Sequence, residues 1–363
     1  MMAVHFKRIM LADHIVDILV SSHIFGHKDI MERLENTGLF RMVISYDGYH
    51  FDQMVLTVKK KIVLIRDILN SRHHFDRLFA GGGKVEDVGQ YDEFWIQEII
   101  MSTNVLYNYL ISRNDEIRVI FYEESPLTVV CDGHDTFVDR EYAIKSKSNI
   151  ERIILRFLIK SMYGKIDHGY SSVYDKIKDR FYFPFYALPG LDKDKNIVAD
   201  WNKIWKCEDD YSDKVVFFEE SFHTDSIEFD DMSVVQDIID VVGKENLMIK
   251  LHPRSRENRF QALGVQTNKS TSVPWELVAI NHIKNPPVLI SVASGSLLYP
   301  QMYWGIKQNV ISLIKCREYK MPVLDSRYYN EYRRFCEDSG YAMLPETRED
   351  FRKILKKMVE GRS

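Results

Sequence analysis

Short apolar segments alternate with helical patterns in the second half of the chain, and this alternation limits the possible folds most. Buried strands are predicted at Val215–Phe218, Leu247–Leu251, Val288–Val292, Val310–Leu313 and Tyr341–Leu344. Helical patterns lie between them at Met232–Val242, Val273–Ile283, Ser296–Trp304 and Tyr328–Glu337. Strands that alternate with helices form parallel sheets whose two faces are both covered. The pattern therefore predicts an α/β, Rossmann-like domain.

The first half shows a similar but less regular pattern. Extended segments are predicted at Ile15–Val20, Phe40–Ser45, Arg118–Tyr122 and Arg180–Leu188. Helices are predicted at Asp29–Leu34, Lys59–Leu69, Trp95–Leu110 and Ile150–Ser161, and a last one at Arg348–Val359. We predict a first Rossmann-like domain at 1–195, a second at 196–345 and a C-terminal helix at 346–363. The acidic stretch Asp192–Asp213 is the candidate linker, and no internal repeat is evident.

The composition excludes several classes of partner and location. Lys and Arg number 49 against 53 Asp and Glu, so the 363 residues carry a net charge of -4. Proteins that bind duplex nucleic acid carry a basic surplus, so we expect no nucleic-acid partner. The four cysteines form no C-x-x-C pair, which predicts no zinc site or disulfide framework and favours the cytoplasm. No uncharged apolar run of about 18 residues occurs, so no transmembrane helix is expected.

A histidine followed directly by proline ends the predicted strand Leu247–Leu251. The segment reads Lys250-Leu251-His252-Pro253-Arg254. Proline cannot continue the ladder and keeps its predecessor extended, which directs the imidazole out of the carboxyl edge of the sheet. Lys250 and Arg254 make the surroundings cationic, which suits a phosphate or another anion. The alternative is an ordinary surface histidine beside a turn.

Serine and glycine residues follow the next predicted strand. This segment reads Ser291-Val292-Ala293-Ser294-Gly295-Ser296 and precedes a predicted helix. Such a helix start leaves backbone N–H groups unpaired, and the helix dipole adds roughly half a positive charge. We expect Ser294, Gly295 and Ser296 to bind an anion at the sheet edge that His252 shares. A plain helix N-cap is the alternative.

Acidic side chains at two places are candidates for contacts with sugar hydroxyls. Glu123 and Glu124 end the predicted strand Arg118–Tyr122 and precede Ser125. Neighbouring residues on a strand point to opposite faces, so only one of these carboxylates can face a cleft and accept a hydroxyl proton. Glu276, in the first turn of a predicted helix, could hold a ribose hydroxyl. A solvated acidic loop and a favourable helix-dipole contact are the respective alternatives.

In chain order, the segments E-E-S, K-L-H-P-R and S-x-A-S-G-S resemble the acidic, HP and serine motifs of bacterial sialyltransferases. The similarity is to family 52 of the glycosyltransferases, the lipooligosaccharide sialyltransferases, and to their capsule-type relatives. Shorter segments such as RVIFYEES and KVVFFEESF extend it over most of the chain. The resemblance implies a GT-B fold, in which two Rossmann-like domains with parallel sheets face a central cleft.

The resemblance also implies a reaction. It points to an inverting, metal-independent sialyltransferase without a cofactor, which moves sialic acid from CMP-sialic acid to a galactose-type hydroxyl of a bacterial surface oligosaccharide. Glu124, rather than its neighbour Glu123, would be the general base, and His252 would stabilise or protonate the departing phosphate. The remaining donor-binding residues would be Lys250, Pro253, Arg254, Ser294, Gly295, Ser296 and Glu276.

Two departures from the family pattern affect the first domain. Ser125 stands where the family has glycine, which adds a side chain beside the expected base. The chain also opens with MMAVHFKRIMLADH and reaches its first predicted strand only at Ile15. The first domain is therefore expected to lack its leading strand.

The sequence leaves several questions open. A transferase of another nucleotide-sugar, or a non-catalytic relative that binds nucleotide or partner subunits, would fit the same scaffold. A nucleotide-sugar epimerase fits less well, because it needs a denser set of cleft carboxylates. Peripheral contact with the inner face of the membrane through Lys59–Lys61 and assembly into a homodimer also stay open.

Overall fold

A computed structural model describes residues 1–22, 26–46, 66, 90–123, 125–131, 162–189, 195–223, 227–255, 257–281, 286–320 and 327–361. The chain divides into two compact units, Met1–Gly190 (unit 1) and Leu191–Ser363 (unit 2). The predicted base Glu124, the predicted helix Ile150–Ser161 and the Lys59–Lys61 segment lie outside the described residues. So does the predicted helix Lys59–Leu69, apart from Arg66.

Unit 1 combines short helices with parallel strands. Its described helices are α1 (Met2–Ile9), α2 (His27–Glu35), α3 (Met101–Ile111), α4 (Pro126–Cys131) and α5 (Tyr174–Ile177). Its described strands are β1 (Asp17–Ser21), β2 (Met42–Tyr46), β3 (Glu93–Ile96), β4 (Arg118–Tyr122), β5 (Ile166–Ser171) and β6 (Phe185–Ala187). β1 and β2 form a parallel pair, and the other strands form a parallel sheet in the order β3-β4-β5-β6.

Unit 2 is built around one parallel sheet. Its strands are β7 (Val215–Phe218), β8 (Leu247–Lys250), β9 (Gln266–Thr267), β10 (Val288–Ser291) and β11 (Asn309–Ser312), in the order β11-β10-β7-β8-β9. Its described helices are α6 (Lys195–Ile204), α7 (Asp231–Val242), α8 (Trp275–Asn281), α9 (Tyr299–Trp304), α10 (Arg327–Ser339) and α11 (Arg348–Glu360). All residues of β7, β8 and β10 are buried, as expected for strands covered on both faces.

The α/β class and the parallel sheets predicted from the sequence are confirmed. The GT-B arrangement of the two sheets about a cleft stays a prediction, as do the roles assigned to 1–195, 196–345 and 346–363. No helix within the described ranges has the length and apolar character needed to cross a membrane.

The predicted helix Trp95–Leu110 is wrong at its start. Trp95 lies in strand β3, and α3 begins only at Met101. Trp95 stacks on Tyr170 with ring centroids 5.8 Å apart and an interplanar angle of 5°. Strands and helices with aromatic residues are hard to tell apart over a few residues, and here packing across the sheet decided the outcome.

The first residues form helix α1, which the sequence analysis did not predict. Phe6 packs against the rings of Trp95, Tyr122 and Tyr170, with centroids 5.0, 5.2 and 5.6 Å away. The Lys7 ammonium donates to three carbonyl groups beyond the helix, at distances of 2.8–2.9 Å. The segment before the first strand is therefore a helix, and it covers an aromatic cluster of unit 1.

The acidic stretch Asp192–Asp213 is not simply a linker. It contains helix α6, whose Trp201 and Ile204 are 2% and 0% exposed. Trp201 also lies 6.2 Å from the ring of Trp304 in α9. The predicted strand Tyr341–Leu344 likewise differs from the structure, in which it is reduced to a single bridge between Ile311 and Met343.

Candidate active site

Two adjacent glutamates at the end of β7 lie between the two loops predicted to bind phosphate. β7 is flanked by β8 on one side and by β10 on the other. The His252 turn (His252–Ser255) follows β8, and the serine loop (Ser291–Ser296) begins at the last residue of β10. The Glu219 carboxylate contacts the first segment and the Glu220 carboxylate the second. Neither glutamate is among the site residues predicted from the sequence.

Glu219 holds the His252 turn. Its Oε2 atom accepts hydrogen bonds from the His252 amide at 3.0 Å and from the Ser255 hydroxyl at 2.6 Å. The Ser255 amide closes the turn by donating to the His252 carbonyl at 2.9 Å. Arg259 approaches the other carboxylate oxygen of Glu219 at 3.2 Å and also pairs with Asp231. This network of hydrogen bonds restricts the conformation of the turn.

The His252 ring is oriented by its own turn. The Arg254 amide donates to Nδ1 of His252 at 3.1 Å. A backbone amide can only donate, so Nδ1 is unprotonated in this arrangement and the ring proton is on Nε2. His252 is half-buried, whereas Pro253 and Arg254 are exposed. An imidazole N–H group and a guanidinium are both of the donor types that bind anions.

Glu220 holds the serine loop through hydrogen bonds to its carboxylate. It accepts hydrogen bonds from the Ser291 hydroxyl and, at 3.0 Å, from the Ala293 amide. The Ser291 hydroxyl in turn accepts the Ser294 amide at 3.2 Å. Burial raises the pKa of Glu220, and the hydrogen bonds from Ser291 and the loop amides oppose that rise. On α10, Tyr328 and Tyr332 donate longer bonds to loop carbonyls, at 3.4 and 3.5 Å.

The serine loop does not open a regular helix as predicted. Gly295–Leu297 form a 3₁₀ turn, and α9 begins only at Tyr299. The Ser294 side chain makes no capping hydrogen bond, so its hydroxyl is not used as an N-cap. A single 3₁₀ turn has only a small dipole, which means that loop hydrogen-bond donors, rather than a helix dipole, would bind an anion here.

Gly295 lies close to the phenol ring of Tyr299. A Cβ atom built at this position would collide with the phenol ring of Tyr299. We expect Gly295→Ala to displace the serine loop, cost about 1–3 kcal/mol of stability and weaken nucleotide binding. Calorimetric titration with CMP and thermal unfolding would measure both effects. Tyr299→Ala in the same chain should restore binding, and a double variant as weak as Gly295→Ala would contradict this explanation.

Lys250 was predicted to add positive charge beside His252, but the structure places its ammonium elsewhere. The side chain is 7% exposed, and Nζ donates to the Val273 carbonyl at 3.2 Å, just before α8. Burial lowers the pKa of Lys250 to about 8, while the nearby Glu276 carboxylate opposes this shift. Burial raises the pKa of Glu276 in turn. Burial therefore disfavours the charged form of both side chains, and the attraction between them offsets part of that effect.

The buried ammonium predicts a pH dependence of stability. Between pH 8 and 10.5 the folded protein has released the Lys250 proton while the unfolded chain retains it. The unfolded state then binds more protons, so the free energy of unfolding rises with pH, by up to roughly 3 kcal/mol. Urea unfolding from pH 7 to 10 should show this rise relative to Lys250→Met. Parallel curves for the two proteins would contradict the prediction.

Glu123, predicted as a catalytic carboxylate, is fully buried in unit 1. Its Oε2 atom accepts the Ser171 hydroxyl at 2.6 Å, and Oε1 accepts the Ser172 amide at 2.9 Å. These residues lie at the end of the neighbouring strand β5. Glu123 therefore supports a loop, a role closer to that of Glu219 than to that of a base. Its neighbour Ser125 is 7% exposed.

The His252 turn and the serine loop follow strands on either side of β7, but each is anchored to its own glutamate. The signal that could have identified Glu219 and Glu220 is the second E-E-S segment, in KVVFFEESF, which follows a buried strand as RVIFYEES does.

Comparisons with known proteins find a family model and solved structures that are similar to this chain. A family model described as alpha-2,8-polysialyltransferase (POLYST) matches residues 86–312. The glycotransferase of kitacinnamycin is 10% identical, with 95% of this chain and 90% of that chain covered and a TM-score of 0.47. The spinosyn forosaminyltransferase SpnP is 11% identical, with 96% of each chain covered and a TM-score of 0.44. No curated protein matches.

The family match spans both E-E-S segments, the His252 turn and the serine loop. It supports the resemblance to sialyltransferases, whereas membership of family 52 stays a prediction. Because the match covers more than half of the chain, the protein belongs to the alpha-2,8-polysialyltransferase family and is a glycosyltransferase.

Proposed function

We propose that the protein transfers sialic acid from CMP-sialic acid to a bacterial surface glycan by an inverting reaction that needs no metal. One observation carries the proposal: the His252 turn and the serine loop follow strands on both sides of β7, and each is held by a carboxylate at the end of β7. The carboxyl ends of parallel strands are the usual ligand sites of such sheets. The family match supports sialic acid as the transferred sugar.

The donor phosphate would bind to hydrogen-bond donors of unit 2. His252 would donate through Nε2–H, because its Nδ1 atom already accepts the Arg254 amide. Ser294 and Ser296 would add hydroxyl donors, and Gly295 a backbone amide. The exposed Arg254 guanidinium would balance the phosphate charge. Donors aimed at charge that develops on the leaving phosphate are worth about 3–4 kcal/mol each.

The reaction would be a single displacement at the anomeric carbon of sialic acid. Glu124 would accept the proton of the acceptor hydroxyl as its oxygen bonds to that carbon, and the bond to the phosphate oxygen would break with its electron pair left on CMP. His252 would stabilise the charge on the departing phosphate. The acceptor expected from the sequence ends in galactose, whereas the description of the family favours a terminal sialic acid.

A thermal-shift comparison tests the donor. CMP and CMP-sialic acid at 100 times their dissociation constants should each stabilise the protein by about 2.7 kcal/mol, and UDP and GDP should not. Stabilisation by UDP or GDP alone would instead indicate a transferase of another nucleotide-sugar. Binding of CMP without release of CMP from CMP-sialic acid would indicate a non-catalytic relative.

A transfer assay then tests which glycan is the acceptor and whether the reaction needs a metal ion. Glycans ending in galactose and in sialic acid should be supplied separately with CMP-sialic acid, with and without EDTA. We expect transfer to persist in EDTA, since the proposed charge balance uses only protein groups. Loss of transfer in EDTA, with recovery on adding a divalent cation, would contradict the metal-independent reaction.

A further inference from the structure

Neighbouring carboxylates at the end of β7 serve different loops. Glu219 is 5% exposed and contacts the turn after β8, and Glu220 contacts the loop after β10. Building on the proposed function, we propose that Glu219 and Glu220 are positioning residues of the donor site. Glu219 acts through His252, and Glu220 acts through Ser294.

The contacts of Glu219 connect both ends of the His252 turn. One oxygen, Oε2, accepts from the His252 amide and from the Ser255 hydroxyl. The other oxygen is occupied by Arg259, whose nitrogen atoms lie 3.2 and 3.3 Å away. Rotation of the carboxylate is therefore restricted on both sides. The His252 backbone is fixed by Glu219 and its ring by the Arg254 amide, so the orientation of the ring depends on both.

The contacts of Glu220 reach Ser294 through one intermediate. Glu220 accepts from the Ser291 hydroxyl, whose oxygen accepts the Ser294 amide at 3.2 Å. The Ala293 amide donates to the same carboxylate oxygen at 3.0 Å. Removal of the carboxylate would leave these donors buried and unpaired, which favours a rearranged loop.

Unit 1 contains the same arrangement of contacts around Glu123. This recurrence is an independent reason to assign a positioning role to Glu219. The Glu219 amide donates to the Lys250 carbonyl at 3.0 Å, and its carboxylate accepts the amide two residues later, that of His252. The Glu123 amide donates to the Tyr170 carbonyl at 3.1 Å, and its carboxylate accepts the amide two residues later, that of Ser172.

These matching contacts reveal a local repeat that the sequence analysis missed. The segments RVIFYEES and KVVFFEES each place a buried strand before an E-E-S motif. In each unit the first glutamate fixes the loop that follows the neighbouring strand. Since the first glutamate of each motif is occupied in this way, neither Glu123 nor Glu219 is available as a general base.

The test separates a positioning role from a purely structural one by the kinetic parameter that changes. Glutamine at position 219 presents an NH₂ group either to Arg259 or to the donors of the turn, so the turn should shift. We expect Glu219→Gln to lower kcat for transfer about 10- to 100-fold with little change in donor KM. Glu220→Ala should instead raise donor KM about 10- to 100-fold, because it disturbs the loop that binds the phosphate.

Double-mutant cycles identify the residue through which each glutamate acts. In a His252→Ala chain, Glu219→Gln should change kcat by less than about twofold, whereas in a Ser294→Ala chain its effect should be retained in full. For Glu220→Ala the measured quantity is donor KM. Its effect should be nearly absent in a Ser294→Ala chain and retained in full in a His252→Ala chain. Glu349→Gln, on the exposed face of α11, is the matched control and should behave as wild type.

Three outcomes would overturn the assignment. These are wild-type kcat in Glu219→Gln, full additivity of Glu219→Gln with His252→Ala, and wild-type donor KM in Glu220→Ala. If Glu219→Gln does not fold, Ser255→Ala removes one hydrogen bond to the same oxygen, and its kcat should also fall. An unchanged kcat in that variant would count equally against the proposal.

A second readout separates this proposal from the proposed function. Nitrogen-15 NMR of the histidine rings reports whether His252 keeps its proton on Nε2. The measurement needs no nucleotide-sugar, so it does not depend on the proposed function. Glu219→Gln should produce a mixture of tautomers, whereas Glu349→Gln should retain one. If wild-type protein releases no CMP from CMP-sialic acid, the proposed function fails, while an unchanged His252 signal in Glu219→Gln shows that the positioning role fails.

Discussion

Replacement of His252 with alanine is expected to lower kcat for sialic acid transfer by at least about 100-fold. The Nε2–H donor would be lost at the point where charge develops on the leaving phosphate, and one such donor is worth about 3–4 kcal/mol. Because the turn is held through the His252 backbone and Ser255, the fold should persist. Steady-state kinetics and thermal unfolding would measure the two effects.

The matched control for this variant is His223→Ala. His223 is an exposed histidine of the same unit, and it lies outside the His252 turn and the serine loop. We expect this control to have wild-type kcat and stability. If His252→Ala retained kcat within about twofold of wild type, His252 would have no part in stabilising the leaving phosphate.

Adjacent carboxylates in unit 1 are expected to respond in opposite ways. Glu124→Gln should lower transfer by about 100- to 10,000-fold, the usual contribution of a general base, and leave stability unchanged. Glu123→Gln should lower the free energy of unfolding by about 1–3 kcal/mol, because a buried acceptor of the Ser171 and Ser172 bonds is altered. Parallel measurement of kcat and urea unfolding would separate the two roles.

The pattern of results identifies the base. Hydrolysis of CMP-sialic acid by water, measured without acceptor, should fall less than transfer in Glu124→Gln, since donor binding belongs to unit 2 in this proposal. Wild-type transfer by Glu124→Gln, together with a large loss in a stable Glu123→Gln, would reverse the assignment made here.

Much of unit 2 could be predicted from the sequence because its strands are continuous apolar runs. The strand Val215–Phe218 is predicted with its observed bounds, and the helix predicted at Met232–Val242 begins one residue early in the structure, at Asp231. Unit 1 was harder to predict. Its helix α1 and its strand β3 owe their form to an aromatic cluster that includes Phe6, Trp95 and Tyr170, residues far apart in the chain.

The candidate site likewise contains residues that could be predicted from the sequence and residues that could not. The residue types of the His252 turn and the serine loop stand out because they follow strand ends, where parallel sheets bind ligands. The roles of Lys250, Glu123 and the two glutamates after β7 were not visible. A Lys or Glu beside a motif has the same appearance in sequence whether its charge faces a ligand or is buried against a loop.

Local apolar patterns and turn residues are enough to predict the α/β class, the parallel strands of unit 2 and the candidate motifs. Only the folded chain shows which carboxylates support loops, where the Lys250 ammonium lies and which nitrogen of His252 accepts the Arg254 amide. These properties depend on hydrogen bonds between residues that strand order brings together, such as Glu219 with His252 and Glu123 with Ser172. Strand order is set by packing of the whole sheet, which no short segment encodes.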